Sequence, residues 1–181
     1  WWLAQSLRAL RSSLEAIGGT LVLRTGPAAA VIATLAREIN AGTVFWNGIA
    51  QAPHQAVAAD VEAALARDGV TSEIFSGDLL VEPRAIRNKE NRGLRVFTPF
   101  WRRVQGLGDP PKPLPAPKKL ASISGIASED LDDWKLEPTR PDWAGGLREN
   151  WTPGEAGAQA RLKAFLDDGI KGYTDDRDRP D

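Results

Sequence analysis

The chain holds few residues able to do acid–base, nucleophilic or metal chemistry. It has one histidine, His54, and no cysteine. A histidine metal cluster, a thiolate zinc site and a cysteine nucleophile are therefore excluded within it. A Ser-His-Asp site would have to use His54, which follows Pro53 near an expected helix start and reads more simply as a surface or cap histidine. Thr25-Gly26-Pro27 joins an expected strand to an expected helix, a place where anions bind. It has neither the GxxxxGK nor the GxGxxG pattern, so helix capping is the simpler role. Asn47 closes an expected strand, where open α/β sheets hold ligands, or else it makes a turn. Arg102 and Arg103 follow the apolar FTPFW segment and read as solvated or salt-bridged charges. Asp175, Asp176 and Asp178 alternate with Arg177 and Arg179 in a mixed-charge loop without metal-ligand spacing. No metal site is expected.

The elements that would position these residues follow from hydrophobic period. Leu3, Leu7, Leu10, Leu14 and Ile17 form one apolar stripe of a first helix, ended by Gly18 and Gly19. TLVLR (20–24), TVFWN (43–47) and TSEIF (71–75) read as strands. Between them lie a helix with Val31, Ile32, Leu35 and Ile39 on its buried face and a helix over roughly 54–68 with Val57, Val61 and Leu65 along one side. Strands alternating with helices of this length predict a doubly wound α/β fold, a parallel sheet covered on both faces.

Beyond about residue 105 the composition changes. Eight of the 13 prolines lie between Pro110 and Pro153, which predicts an extended connector. The connector is expected to pin itself with Trp134, Trp143 and Trp151. A final helix is expected to start at Thr152-Pro153-Gly154-Glu155, with Thr152 as N-cap and Glu155 completing a capping box. Its apolar face, Ala158, Leu162, Phe165, Leu166 and Ile170, has little in the chain to pack against.

The net charge of −1 shows no basic excess, so nothing in the average advertises a nucleic-acid-binding face. No apolar run reaches the roughly 18 residues of a membrane span. The lack of cysteine agrees with a reducing cytoplasm, where the protein is expected. The chain is already helical at Trp1 and contains no methionine, so it is expected to be an internal fragment of a larger protein.

Four segments together resemble the photolyase/cryptochrome family of blue-light flavoproteins. They are WWLAQSLRALRSSLEAIGGTLVLRTG, TVFWN, LRVFTPFWRRV at 94–104, and WTPGEAGAQARLKAFLDDGIKGYTDDRDRPD at 151–181. The last is similar to the G-E-x-x-A…L-x-x-F…Y-x-x-x-R-D-x-P segment that opens the flavin-binding helical domain. Order and spacing make the match specific, and it is most like bacterial class I cyclobutane pyrimidine dimer photolyases.

The resemblance implies that residues 1–105 are most of an α/β antenna domain without its first strands. It makes 106–150 the interdomain connector and 151–181 the truncated start of an all-α FAD-binding domain. It implies FAD as cofactor, with Tyr173 touching the flavin. It also implies a possible second antenna chromophore, methenyltetrahydrofolate or 8-hydroxydeazaflavin, near Asn47, His54 and Gln55; folate, deazaflavin and no antenna all stay open. The glutamate that usually follows the aromatic-asparagine strand is absent here. The implied parent is a monomeric light-driven lyase acting on damaged DNA, with no membrane partner. A cryptochrome-type receptor without repair is the alternative, and an unrelated nucleotide-binding α/β domain a more distant one. The fragment alone is expected to be inactive and colourless, with no catalytic residue of its own.

Overall fold

The computed structural model describes residues 1–77, 79, 81–82, 85–109 and 112–179. In chain order its helices are α1 Trp2–Ala16, α2 Ala28–Glu38, α3 Ala52–Arg67, α4 Phe97–Gln105, α5 Gly145–Asn150, α6 Glu155–Ala164 and α7 Ile170–Asp176; its strands are β1 Thr43–Gly48 and β2 Thr71–Ser76. The chain divides into two compact units, Thr25–Ala116 and Trp1–Arg24 with Pro117–Asp181.

In the Thr25–Ala116 unit, β1 and β2 pair in parallel from Thr43 opposite Thr71 to Gly48 opposite Ser76. Parallel strands need a long crossover, and α3 supplies it. Alternation along β1 turns Val44 and Trp46 toward the helices, where they pack on a core of Ala36, Val61 and Leu65. Leu65 is 0% exposed. Ala33 and Ala36 are the buried residues of α2, small enough for α2 and α3 to approach closely.

The expected α/β class with a parallel sheet is therefore present. Coverage of both faces is not, among the described residues of this unit. Phe45 and Phe75 are 59% and 52% exposed, with ring centroids 6.1 Å apart on the face away from the core. Both neighbouring helices pack on the same side, because α2 and α3 share one core. Val57 is also exposed, so the buried side of α3 runs through Val61, Ala64 and Leu65 instead. The FTPFW segment, read from sequence only as apolar, forms α4, with Phe97 stacked on Trp101 at 6.3 Å and 8°.

In the other unit, α1 lies against the 120–137 segment. Ala4 and Leu131 are buried, and Leu131 belongs to a short 3-10 helix, Leu131–Trp134. Arg8 donates to Asp132 at 2.7 Å and to Glu137, while Gln5 Nε2 donates to Glu137 at 2.9 Å. Leu3 and Leu10 of the expected stripe are exposed, since the segment covers only part of α1. The 20–24 stretch is extended but joins no strand among the described residues. Its backbone pairs with the connector instead: Leu23 N–H donates to Ser128 Oγ at 2.9 Å, and Glu129 N–H donates to Leu23 O at 2.8 Å.

Two of the three tryptophans behave as anchors. Trp134 Nε1 donates to Glu129 at 2.7 Å, and Trp151 meets Trp2 edge-on at 5.6 Å. Trp143 is 63% exposed and does not pin the segment. The capping box at Thr152 does not form. α6 begins at Glu155 with Gly154 as N-cap at φ 98°, and no side chain caps it. A Cβ at Gly154 would lie 2.8 Å from Ala9 Cβ, so close approach to α1 selects glycine where the sequence suggested a threonine cap. A π-helical turn, Phe165–Gly169, joins α6 to α7. Leu162, Phe165, Leu166 and Ile170 stay exposed, as their lack of a packing partner in the chain implied.

Two predictions follow from the packing. Leu65→Ala opens a cavity that two helices and a sheet cannot collapse around; it should cost about 3 kcal/mol in chemical denaturation, and a loss under about 1 kcal/mol would contradict this core. Arg148 grips Asp142 through bonds of 2.8 and 3.0 Å, and the Ala144 N–H adds one of 3.1 Å. The Arg148 hydrogen bonds, then that of Ala144, hold the Asp142 carboxyl below the usual carboxylate range. The pair's support is present above the unfolded carboxylate value and lost as pH falls through the lower folded one. NMR titration should find Asp142 depressed and Arg148→Ala raising it; an unchanged value would remove the pair's role.

Candidate functional site

β1 and β2 end side by side at Gly48 and Ser76. Open parallel sheets bind ligands in the crevice made this way. Here it is a cleft of about 580 Å³, within the range of small-molecule sites. Ile49, Ile74 and Leu79 supply apolar wall, and Phe75 contributes at the strand end. α3 supplies the other side with Gln55, Ala58 and Glu62, spaced three and four residues apart on one helix face. Gln55 is tied down, its Nε2 donating to Ala50 O at 2.7 Å.

The three residues expected near an antenna ligand fare differently. Gln55 lines the cleft. Asn47 sits one residue before the end of β1 with its side chain laid over Gly77; a Cβ on Gly77 would come within 2.5 Å of Asn47 Cγ. His54 is exposed in the first turn of α3 and is not among the cleft-lining residues. Sequence reasoning missed Glu62, although its offset of seven from Gln55 places both on one helix face. It also missed the apolar wall from Ile74, which it read only as strand.

Tyr173, on α7 in the other unit, is not among the cleft-lining residues. It is 51% exposed and meets Phe165 edge-on, with centroids 5.7 Å apart and planes at 84°. The Y-x-x-x-R-D-x-P pattern to which it belongs ends at Pro180, outside the described residues. Among the described residues, no group of three or more His, Cys, Asp or Glu side chains is arranged to hold a metal ion. No helix there is long and apolar enough to cross a membrane.

Residues 1–118 match the family model described as DNA photolyase. The chain belongs to that family. A deoxyribodipyrimidine photo-lyase from Agrobacterium fabrum is 44% identical over 181 residues, 99% of this chain and 38% of that protein. The crystal structure of a bacterial class III photolyase from Agrobacterium tumefaciens superposes with a TM-score of 0.92 at 44% identity, covering 99% of this chain and 38% of that one. Cryptochrome-1 of Arabidopsis thaliana is 27% identical over 185 residues, 100% of this chain and 27% of that protein. The chain thus spans 38% or less of the length of these photolyase and cryptochrome relatives.

Proposed function

We propose that the whole protein is a deoxyribodipyrimidine photo-lyase, splitting cyclobutane pyrimidine dimers in damaged DNA under blue light. The observation that carries this is 44% identity to a photo-lyase across 99% of the chain. The sequence motifs suggested class I. Likeness to a class III enzyme over the same span, with a TM-score of 0.92, favours class III instead. The Arabidopsis relative supports a second reading, a cryptochrome-type receptor without repair.

We assign FAD as the cofactor of the whole protein, where it supplies the light-excited electron that opens the dimer. Tyr173, half exposed and edge-on to Phe165, suits one contact to a flat ring. Tyr173 offers one flavin contact among the described residues, so the chain alone should purify colourless. The division into antenna domain (1–105), connector (106–150) and start of the FAD domain (151–181) is part of the same proposal. The dimer must leave the base stack to reach any buried flavin. We take the protein to act as a monomer in the cytoplasm.

The cleft at the ends of β1 and β2 is our candidate for the antenna chromophore. A flat heterocycle fits its volume and its apolar wall of Ile49 and Ile74. Gln55 and Glu62 would orient the ring edge by hydrogen bonding, and Leu79 would help to exclude water. Asn47, turned onto Gly77, would act by shaping the rim, and His54 would stay outside. The cleft suits methenyltetrahydrofolate and 8-hydroxydeazaflavin alike.

Reduced full-length protein under blue light should convert thymine dimers to thymines and do nothing in the dark. Flavin-loaded protein that repairs nothing would leave the cryptochrome reading standing. In the same protein, Ala58→Trp should fill the cleft and remove non-flavin absorbance while FAD content is unchanged. Undiminished antenna absorbance would place the chromophore elsewhere.

A further inference from the structure

The formal charge of −1 averages over a strong segregation. Residues 84–119 hold ten of the 23 basic residues and two of the 24 acidic ones, a net +8 against −9 for the rest. The fold of the Thr25–Ala116 unit concentrates part of this charge. Arg87 bridges to Gly93 in antiparallel fashion, and the Asn88 N–H donates to Arg92 O at 2.8 Å. Asn91 takes a left-handed φ of 58°, which closes the turn. Lys89 and Arg92 stand at its tip. Arg95 follows just before α4, and Arg102 and Arg103 occupy the last turn of that helix. All five are exposed.

They differ from the ion-paired cations of the chain, as Arg11, Lys135, Arg140 and Arg161 also do. Arg8, Arg37, Arg148, Lys163, Lys171 and Arg179 each pair with a carboxylate. Among the described residues, the side-chain charges of Lys89, Arg92, Arg95, Arg102 and Arg103 have no ion pair or hydrogen bond. Five bare cations on a turn and an adjoining helix about 13 Å long repel one another. That arrangement complements a regularly charged polyanion. Four of the five are arginines, whose planar forks match phosphate oxygens.

We propose that the 87–93 turn and α4 form an electrostatic contact surface for the phosphodiester backbone of duplex DNA, independent of any lesion. The choice of DNA among polyanions rests on the photolyase reading above; the charge surface itself does not. Backbone contacts of this kind position a protein on the duplex without reading its sequence. They would let the α/β unit help to hold the protein on DNA while the lesion is sought elsewhere.

The test is fluorescence anisotropy of the 181-residue chain with an undamaged labelled duplex over a salt series. Five phosphate contacts predict a slope of log affinity against log salt of roughly −4 to −5. Arg102→Ala with Arg103→Ala should reduce its magnitude by about 2. Lys89→Ala with Arg92→Ala is a second variant, away from α4, should the helix variant lose its circular dichroism signal. No binding at about 50 mM salt overturns the proposal. So does a slope that neither folded variant changes. Equal affinity for polyglutamate or for anionic lipid vesicles would assign the surface to another partner and overturn it as well. Because the duplex is undamaged and the readout is dark, failure here leaves the repair assay, and the photolyase reading, untouched.

Discussion

Parallel pairing of β1 with β2 is the constraint on which the Thr25–Ala116 unit depends. Two parallel strands cannot be joined by a tight turn, so the chain must leave one strand, cross, and re-enter beside it. The crossover is α3, and it holds because Val61 and Leu65 bury against Ala36 and the Val44–Trp46 face of β1. One consequence is that both strands end at the same edge. At that edge α3 lies close enough to lend Gln55, Ala58 and Glu62 to a cleft. The cleft is thus a by-product of the topology, furnished with side chains by the same helix that makes the core.

The second unit uses a different device. Few of its residues are fully buried, and α1 is held largely by polar contacts to the connector: Arg8 and Gln5 to Asp132 and Glu137, and the extended 20–24 stretch to Ser128 and Glu129. Exposed ion pairs stabilise little one by one. Here they fix the path of the 120–137 segment, whose regular structure is the short 3-10 helix Leu131–Trp134. The same unit leaves the α6–α7 stripe of Leu162, Phe165, Leu166 and Ile170 exposed. A contiguous apolar face of that kind belongs to an interaction surface rather than to a finished exterior.

Legibility from sequence tracked how local the cause was. β1, α3 and β2 emerged within two residues of their expected limits, because alternating period and glycine stops are local signals. The 20–24 stretch has strand composition, yet pairing is non-local, and its hydrogen bonds go to the connector. The Thr152 cap satisfied every local rule and lost to a tertiary one, the close passage of Gly154 beside Ala9. In the cleft, Gln55 was anticipated through family likeness and Glu62 was not, since the glutamate was sought next to the strand rather than two turns along α3. His54, placed near the ligand by the same likeness, is exposed and does not line the cleft. The basic turn and α4 were hidden by averaging: a net charge near zero says nothing of how charges are distributed, and a window over 84–119 would have revealed them.

We propose above all that this parallel-strand cleft carries the light-gathering chromophore of a DNA-repair flavoprotein. The action spectrum of repair by the full-length protein tests it most directly. Repair efficiency should exceed what flavin absorption provides across the band where a second chromophore absorbs. Efficiency that follows the flavin spectrum alone, with a non-flavin chromophore bound to the protein, would contradict it.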